Sequence, residues 1–122
     1  MSKCALVAED DEDVRRLIEI VLRRHCSAID MAADGAQAIE MLERGRYDLV
    51  VLDIMLPKVN GLAVAKFIQE LPSPPATIVV SAIARYVDER LPQGTVTVQK
   101  PFDFQEFEAK VATLLKTTAD PS

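Results

Sequence analysis

Two cysteines and a single histidine are all the thiol and imidazole groups that this 122-residue chain offers a metal. Cys4 and Cys26 belong to no Cys-x-x-Cys pair and His25 has no partner at ligand spacing, so neither a zinc site nor a disulfide framework is expected. The two thiols read instead as small buried side chains in a reducing compartment. His25, beside Arg24 at the end of a helical segment, is expected to interact with that helix's C-terminus. No apolar run approaches the roughly 18 residues of a membrane span, and the N-terminus lacks a basic-then-apolar leader, so the expected location is cytoplasmic. Basic residues occur as scattered pairs such as Arg15–Arg16 and Arg23–Arg24, without a continuous stripe; direct nucleic-acid binding is therefore not expected. A phosphate-cradling glycine loop after the first strand is also missing, which argues against a flavodoxin-like cofactor binder. There is no internal repeat, no low-complexity segment and no linker.

What remains is a chain of ordinary globular composition, 49% apolar and 27% charged, with fourteen basic residues against nineteen acidic and a formal net charge of −5. The length suits one domain spanning 1–122, with a tail expected to fray from about Thr117. Short apolar runs alternate with amphipathic helical segments. The strands are expected at Ala5–Ala8, Ser27–Ala32, Leu49–Leu52, Ala76–Val80 and Thr95–Gln99. Helices are expected from Asp13 to near Arg24, from Gly35 to Gly45, from Leu62 to Leu71 and from Asp103 onward. Between Ala82 and Leu91 a helix of two or three turns is expected before Pro92 and Gly94 stop it. Five alternations with short connections predict an α/β fold, a parallel sheet covered by helices on both faces.

The stretch Tyr47–Gly61 organises the rest. Leu49, Val50, Val51 and Leu52 suit a strand buried on both faces, and Asp53 follows at once. A carboxylate at the end of a buried strand is costly unless a partner or a metal compensates it, so Asp53 reads as a working group. Pro57 and Gly61 then turn the chain, and Asn60 can cap the next helix. Function in an open parallel sheet collects at the carboxyl ends of its strands. There the sequence supplies Glu9 and Asp10 after the first strand, Asp53 after the third, Ser81 after the fourth and Lys100 after the fifth. Asp11, Glu12 and Asp13 are sufficiently explained as helix-capping acids. Lys58, in the loop after Asp53, reads as solvated. Three converging carboxylates call for a cation, and hard oxygen ligands suit Mg²⁺. A carboxylate beside Mg²⁺, with an ammonium and a hydroxyl nearby, has the parts needed to accept a phosphoryl group.

On the Glu9–Asp10 pair, the Asp53-Ile-Met-Leu-Pro57 run with Gly61, Ser81 followed by the small Ala82, and Lys100-Pro101-Phe102, the chain resembles the receiver domain of two-component response regulators over nearly its whole length. The resemblance implies a doubly wound, flavodoxin-like five-stranded sheet in the order 2-1-3-4-5. It implies phosphorylation of Asp53 by a histidine kinase or a phosphotransfer protein. Mg²⁺ would be held by Asp10, Asp53, the backbone carbonyl of Met55 and, through water, Glu9. Ser81 would bond the phosphoryl group and Lys100 would pair with it, with a cis peptide before Pro101. One departure is the switch position three residues before the lysine, often aromatic in the family and here Thr97. Any conformational change is then expected to run through Ala82–Gly94. The implied role is a signalling switch rather than an enzyme, a monomer or weak dimer acting through contact with a downstream protein. Its alternatives are a pseudo-receiver that binds a partner without phosphorylation, and a receiver excised from a larger regulator or hybrid kinase. Met1-Ser2-Lys3, leading straight into the first strand, favours a natural start. A phosphatase using Asp53 would need a second acid two residues on, where Met55 stands.

Overall fold

Each short apolar run becomes a strand and each helical repeat a helix in the computed structural model, which describes residues 3–117. In chain order these are β1 Cys4–Ala8, α1 Glu12–Leu22, β2 Ala28–Ala32, α2 Gly35–Arg44, β3 Leu49–Leu52 and α3 Gly61–Gln69. They continue with β4 Ala76–Ser81, α4 Ala84–Val87, β5 Val96–Gln99 and α5 Phe104–Thr117. The strands form one parallel sheet in the order β2-β1-β3-β4-β5, as expected of the doubly wound fold. The expected fraying past Thr117 falls outside the described residues.

Period-two alternation sends side chains to opposite faces of the sheet. Leu6, Val50, Leu52 and Val79 pack with Leu42 of α2 and Val64 and Ile68 of α3. On the other face, Val7, Val51, Ile78 and Val80 pack with Ile18 and Leu22 of α1 and Phe107 and Val111 of α5. Central strands sandwiched this way carry no charged side chain until they end, and the one polar side chain ahead of their last residues, Thr77 near the start of β4, bonds to the Pro75 carbonyl. All four residues of β3 are buried, and Asp53 is the first carboxylate after them.

Register decides which strand ends meet. Ala8 lies opposite Leu52, and the Asp53 N–H donates to the Ala8 carbonyl at 3.0 Å. Glu9 and Asp10 therefore leave the sheet beside Asp53. Ser81 lies opposite Gln99, and the Lys100 N–H donates to the Ser81 carbonyl at 3.0 Å, so Lys100 emerges at the same rim.

Caps set the helix starts. Asp11, Asp34 and Asn60 each accept from an N–H three residues on, at 3.0, 2.7 and 3.0 Å. This satisfies donors that would otherwise be left without partners in a first turn. The capping role read for Asp11 is thus observed directly. Burial in α3 falls on Val64, Ala65 and Ile68, with Leu62 half-buried at its margin.

The segment after β4, expected to hold two or three helical turns cut short by Pro92 and Gly94, folds as four residues of α-helix continued by a 3-10 turn at Asp88–Arg90. Ile83 at the start of α4 provides no side-chain cap, and Pro92 with the left-handed Gly94 (φ +93°) ends the segment early. His25, expected to interact with the C-terminus of α1, points its ring to α5 instead. Its Nε2 lies 3.3 Å from Glu108, which also binds Arg24. Cys26 is buried and Cys4 half-buried, both as free thiols. Burial pushes the Cys26 thiol up to about 11. No helix among the described residues is long and apolar enough to cross a membrane.

Candidate functional site

At the carboxyl rim, Glu9, Asp10 and Asp53 each place a carboxylate oxygen within 4.8 Å of the others. Glu9 and Asp53 are buried, whereas Asp10 faces solvent. The Lys100 ammonium donates to Glu9 Oε1 and to Asp53 Oδ2, both at 2.9 Å. The second oxygen of each buried acid is also held. Asp53 Oδ1 accepts from the Met55 N–H at 3.0 Å, and Glu9 Oε2 from the Asp11 N–H at 3.1 Å. Every carboxylate oxygen on the two buried acids therefore has a donor, and their orientations are fixed.

Charge balance bears on what the site can hold. One ammonium faces three carboxylates. Burial pushes the Glu9 carboxyl above its ordinary value, with repulsion from Asp53 adding to the effect, although bonds from Lys100 and the Asp11 N–H pull it down. Burial works against charge on Lys100 too, but its bonds to Glu9 and Asp53 outweigh this and hold the ammonium above its usual value. A cluster of hard oxygens still short of positive charge fits a small divalent cation, with the exposed Asp10 side leaving room for its water.

The loop that presents Asp53 is fixed by backbone contact. A Cβ on Gly61 would lie 2.2 Å from the Asp53 carbonyl oxygen and 2.5 Å from Ile54 Cα, so only glycine lets α3 start there. Gly35 plays the same part beneath Val59, where a Cβ would lie 1.8 Å from the carbonyl oxygen. Lys58 adopts the left-handed conformation (φ +70°) in this loop, and its exposed ammonium pairs loosely with Asp34 at 3.5 Å.

Residues 5–112 match the family model described as the response regulator receiver domain. The chain belongs to this family. Among curated relatives, the uncharacterized transcriptional regulatory protein YcbL of Bacillus subtilis is 34% identical, over 91% of this chain and 50% of its own length. Response regulator ArlR of Staphylococcus epidermidis is 30% identical, over 94% of this chain and 53% of its own. The chain spans about half the length of the curated relatives it matches. Among solved structures, the receiver domain of Francisella response regulator 1452 covers 97% of this chain and all of its own, with a TM-score of 0.83 at 26% identity. Response regulator protein TrrA of Thermotoga maritima, solved in complex with Mg²⁺-BeF, covers 92% of this chain and 98% of its own, with a TM-score of 0.77 at 32% identity.

The remaining sequence-expected residues are placed by the strands and loops of the same sheet. Ser81, fully buried at the end of β4, accepts through Oγ from the Ile83 N–H at 3.4 Å. Met55 is the exposed neighbour whose N–H holds Asp53. Thr97 is half-buried in β5, and its carbonyl accepts from Lys110 at 2.9 Å. The peptide before Pro101 is cis. Two residues escaped the sequence reading. Arg15 donates to the Glu9 carbonyl at 3.2 Å, and Gln99 bonds to three backbone groups around Ala82 and Lys100. Strand alternation carried a signal for Gln99, since Val96 and Val98 face the α5 side and leave Thr97 and Gln99 turned toward α4.

Proposed function

We propose that the chain is a single receiver domain over 1–122, a phosphorylation-controlled switch that accepts a phosphoryl group on Asp53 in an Mg²⁺-dependent reaction. The observation that carries this is the convergence of Glu9, Asp10 and Asp53 within 4.8 Å, with Lys100 bonded to both buried acids. The donor is the phosphohistidine of a kinase or phosphotransfer protein. A carboxylate oxygen of Asp53 forms a bond to phosphorus as the P–N bond to the donor imidazole breaks, the electron pair leaving on nitrogen. The product is an acyl phosphate, which water later hydrolyses. Asp10, Asp53, the Met55 carbonyl and, through water, Glu9 would hold the cation, whose chemistry is to neutralise charge on the transferring oxygens. The Met55 N–H and Lys100 keep the nucleophile from turning before the donor arrives, a positioning contribution. After transfer, Lys100 and Ser81 bind the new phosphoryl oxygens.

The carboxylate of Asp53 becomes an acyl phosphate of charge about −2, roughly one unit more negative, which draws groups at the rim inward. Output passes through contact with a downstream protein, and the chain acts in the cytoplasm as a monomer or weak dimer, as a regulator rather than an enzyme. The match to TrrA, solved with Mg²⁺-BeF, supports the same ligand chemistry here. Phos-tag electrophoresis after acetyl phosphate treatment tests the reading. A retarded band is expected with Mg²⁺, lost in EDTA and in Asp53→Asn. No Mg²⁺-dependent band would point to a pseudo-receiver instead.

A further inference from the structure

α4 is too short to hold itself together. Four helical residues fall well below the length at which an isolated helix persists, and the Ile83 side chain at its start caps none of the first-turn N–H groups. A residue on another strand supplies the missing acceptor. Gln99, the last residue of β5, accepts from the Arg85 N–H through Oε1 at 3.0 Å. Its Nε2 donates to the Ala82 carbonyl and, at 3.1 Å, to the Lys100 carbonyl. One amide thus ties together the loop after β4, the first turn of α4 and the residue that carries the site's ammonium.

The same loop holds the hydroxyl that the proposed reaction requires. Ser81 Oγ bonds to the Ile83 N–H at 3.4 Å, a long and weak interaction. On the reading proposed above, that hydroxyl approaches a phosphoryl group on Asp53, and the chain together with this bond carries Ala82 and Ile83 along with it. Gln99 opposes the movement because it grips Ala82 from the β5 side.

We infer that Gln99 is a positioning residue, a latch that holds the β4–α4 loop in its dephosphorylated arrangement and sets how readily Ser81 engages the phosphoryl group. The inference rests on the phosphorylation reading above and adds a residue and a direction to it. Removing the latch makes the loop easier to move, so the bound state gains. A net hydrogen bond is worth about a fivefold factor in an equilibrium, and the gain scales with the bonds released.

Two variants test this by NMR titration with Mg²⁺ and beryllofluoride, alongside amide exchange over Ala82–Gly94. Gln99→Met keeps the side-chain length but loses the acceptor and both donors. It should bind beryllofluoride roughly fivefold tighter for each bond that opposed the movement, and the free protein should exchange faster over that segment. Gln99→Glu keeps an acceptor for Arg85 and loses the donors to Ala82 and Lys100. It should also bind more tightly while the Arg85 amide stays protected. Unchanged or weaker beryllofluoride binding in Gln99→Met overturns the latch, even if exchange speeds up, because that combination describes a purely structural brace. Should Gln99→Met fail to fold, the same affinity criterion applied to Gln99→Glu decides. Wild-type binding that requires Asp53 is the control. Its absence would defeat the phosphorylation reading itself, whereas its presence without any gain in the variants would defeat the latch alone.

Discussion

Lys100 shows how one side chain can set the state of the rim. Its ammonium bridges two buried carboxylates at 2.9 Å, and a third lies close by. Lys100→Met keeps most of the side-chain volume and deletes the charge, leaving Glu9 and Asp53 buried and uncompensated. Breaking a buried pair in this way costs about 3 kcal/mol, measurable as a lower urea midpoint in EDTA. Excess Mg²⁺ should recover much of that loss, since a bound cation stabilises the folded state by mass action. The rise in Tm on adding Mg²⁺ is therefore expected to be larger in the variant than in the wild type. An equal or smaller rise would show that these carboxylates do not share an ion. The acids and Lys100 stood out in the sequence because Glu9 with Asp10, Asp53 and Lys100 are the first charged residues after the ends of β1, β3 and β5, where burial without purpose is penalised. For Gln99, strand alternation showed only which way the side chain turns, because its partners are backbone groups of the β4–α4 loop whose position no spacing rule encodes.

At the level of elements, the β3–α3 connection aims the Asp53 carboxylate, and its geometry depends on a missing side chain. The Gly61 N–H donates to the Ile54 carbonyl at 2.7 Å while α3 starts directly against the Asp53 peptide. A methyl group there meets backbone atoms, which cannot rotate away as the end of a side chain could. Gly61→Ala should destabilise the protein by about 3 kcal/mol, the upper end of overpacking costs, and should slow phosphorylation by acetyl phosphate because Asp53 is displaced. Gly45→Ala is the matched control. Its nearest atom would be 3.4 Å away, on the Tyr47 ring, so a change within about 0.5 kcal/mol is expected. Equal effects from the two substitutions, by chemical denaturation, would remove the argument that close backbone approach fixes the site. The sequence marked this turn through Pro57, Asn60 and Gly61, and was least readable in the segment after β4. The apolar residues of Ala82–Leu91 suited a helix, but Ile83 could not cap it and Pro92 with Gly94 cut it short.

For the whole molecule, hydrophobic period was enough to read the architecture. Runs such as Val7–Ala8 and Leu49–Leu52 can be buried on both sides only within a sheet covered twice, which is the arrangement observed. The pairing of His25 with Glu108 was less accessible, since it joins α1 to α5 across more than eighty residues of sequence. That same α1–α5 layer includes Phe107, which is fully buried against the central strands and 5.4 Å from the Phe102 ring. Phe107→Ala should cost about 3–5 kcal/mol, a large part of the roughly 5–15 kcal/mol that a domain has in total. Phe107 packs in one cluster with Val7 and Val51, in the strands whose carboxyl ends carry Glu9 and Asp53, so its loss should unfold core and rim together rather than loosen one face. Helical circular dichroism and Asp53-dependent beryllofluoride binding should therefore fall at one urea midpoint, shifted equally in the variant. Loss of binding ahead of helix content would instead mean that the rim and the α1–α5 layer unfold as separate units.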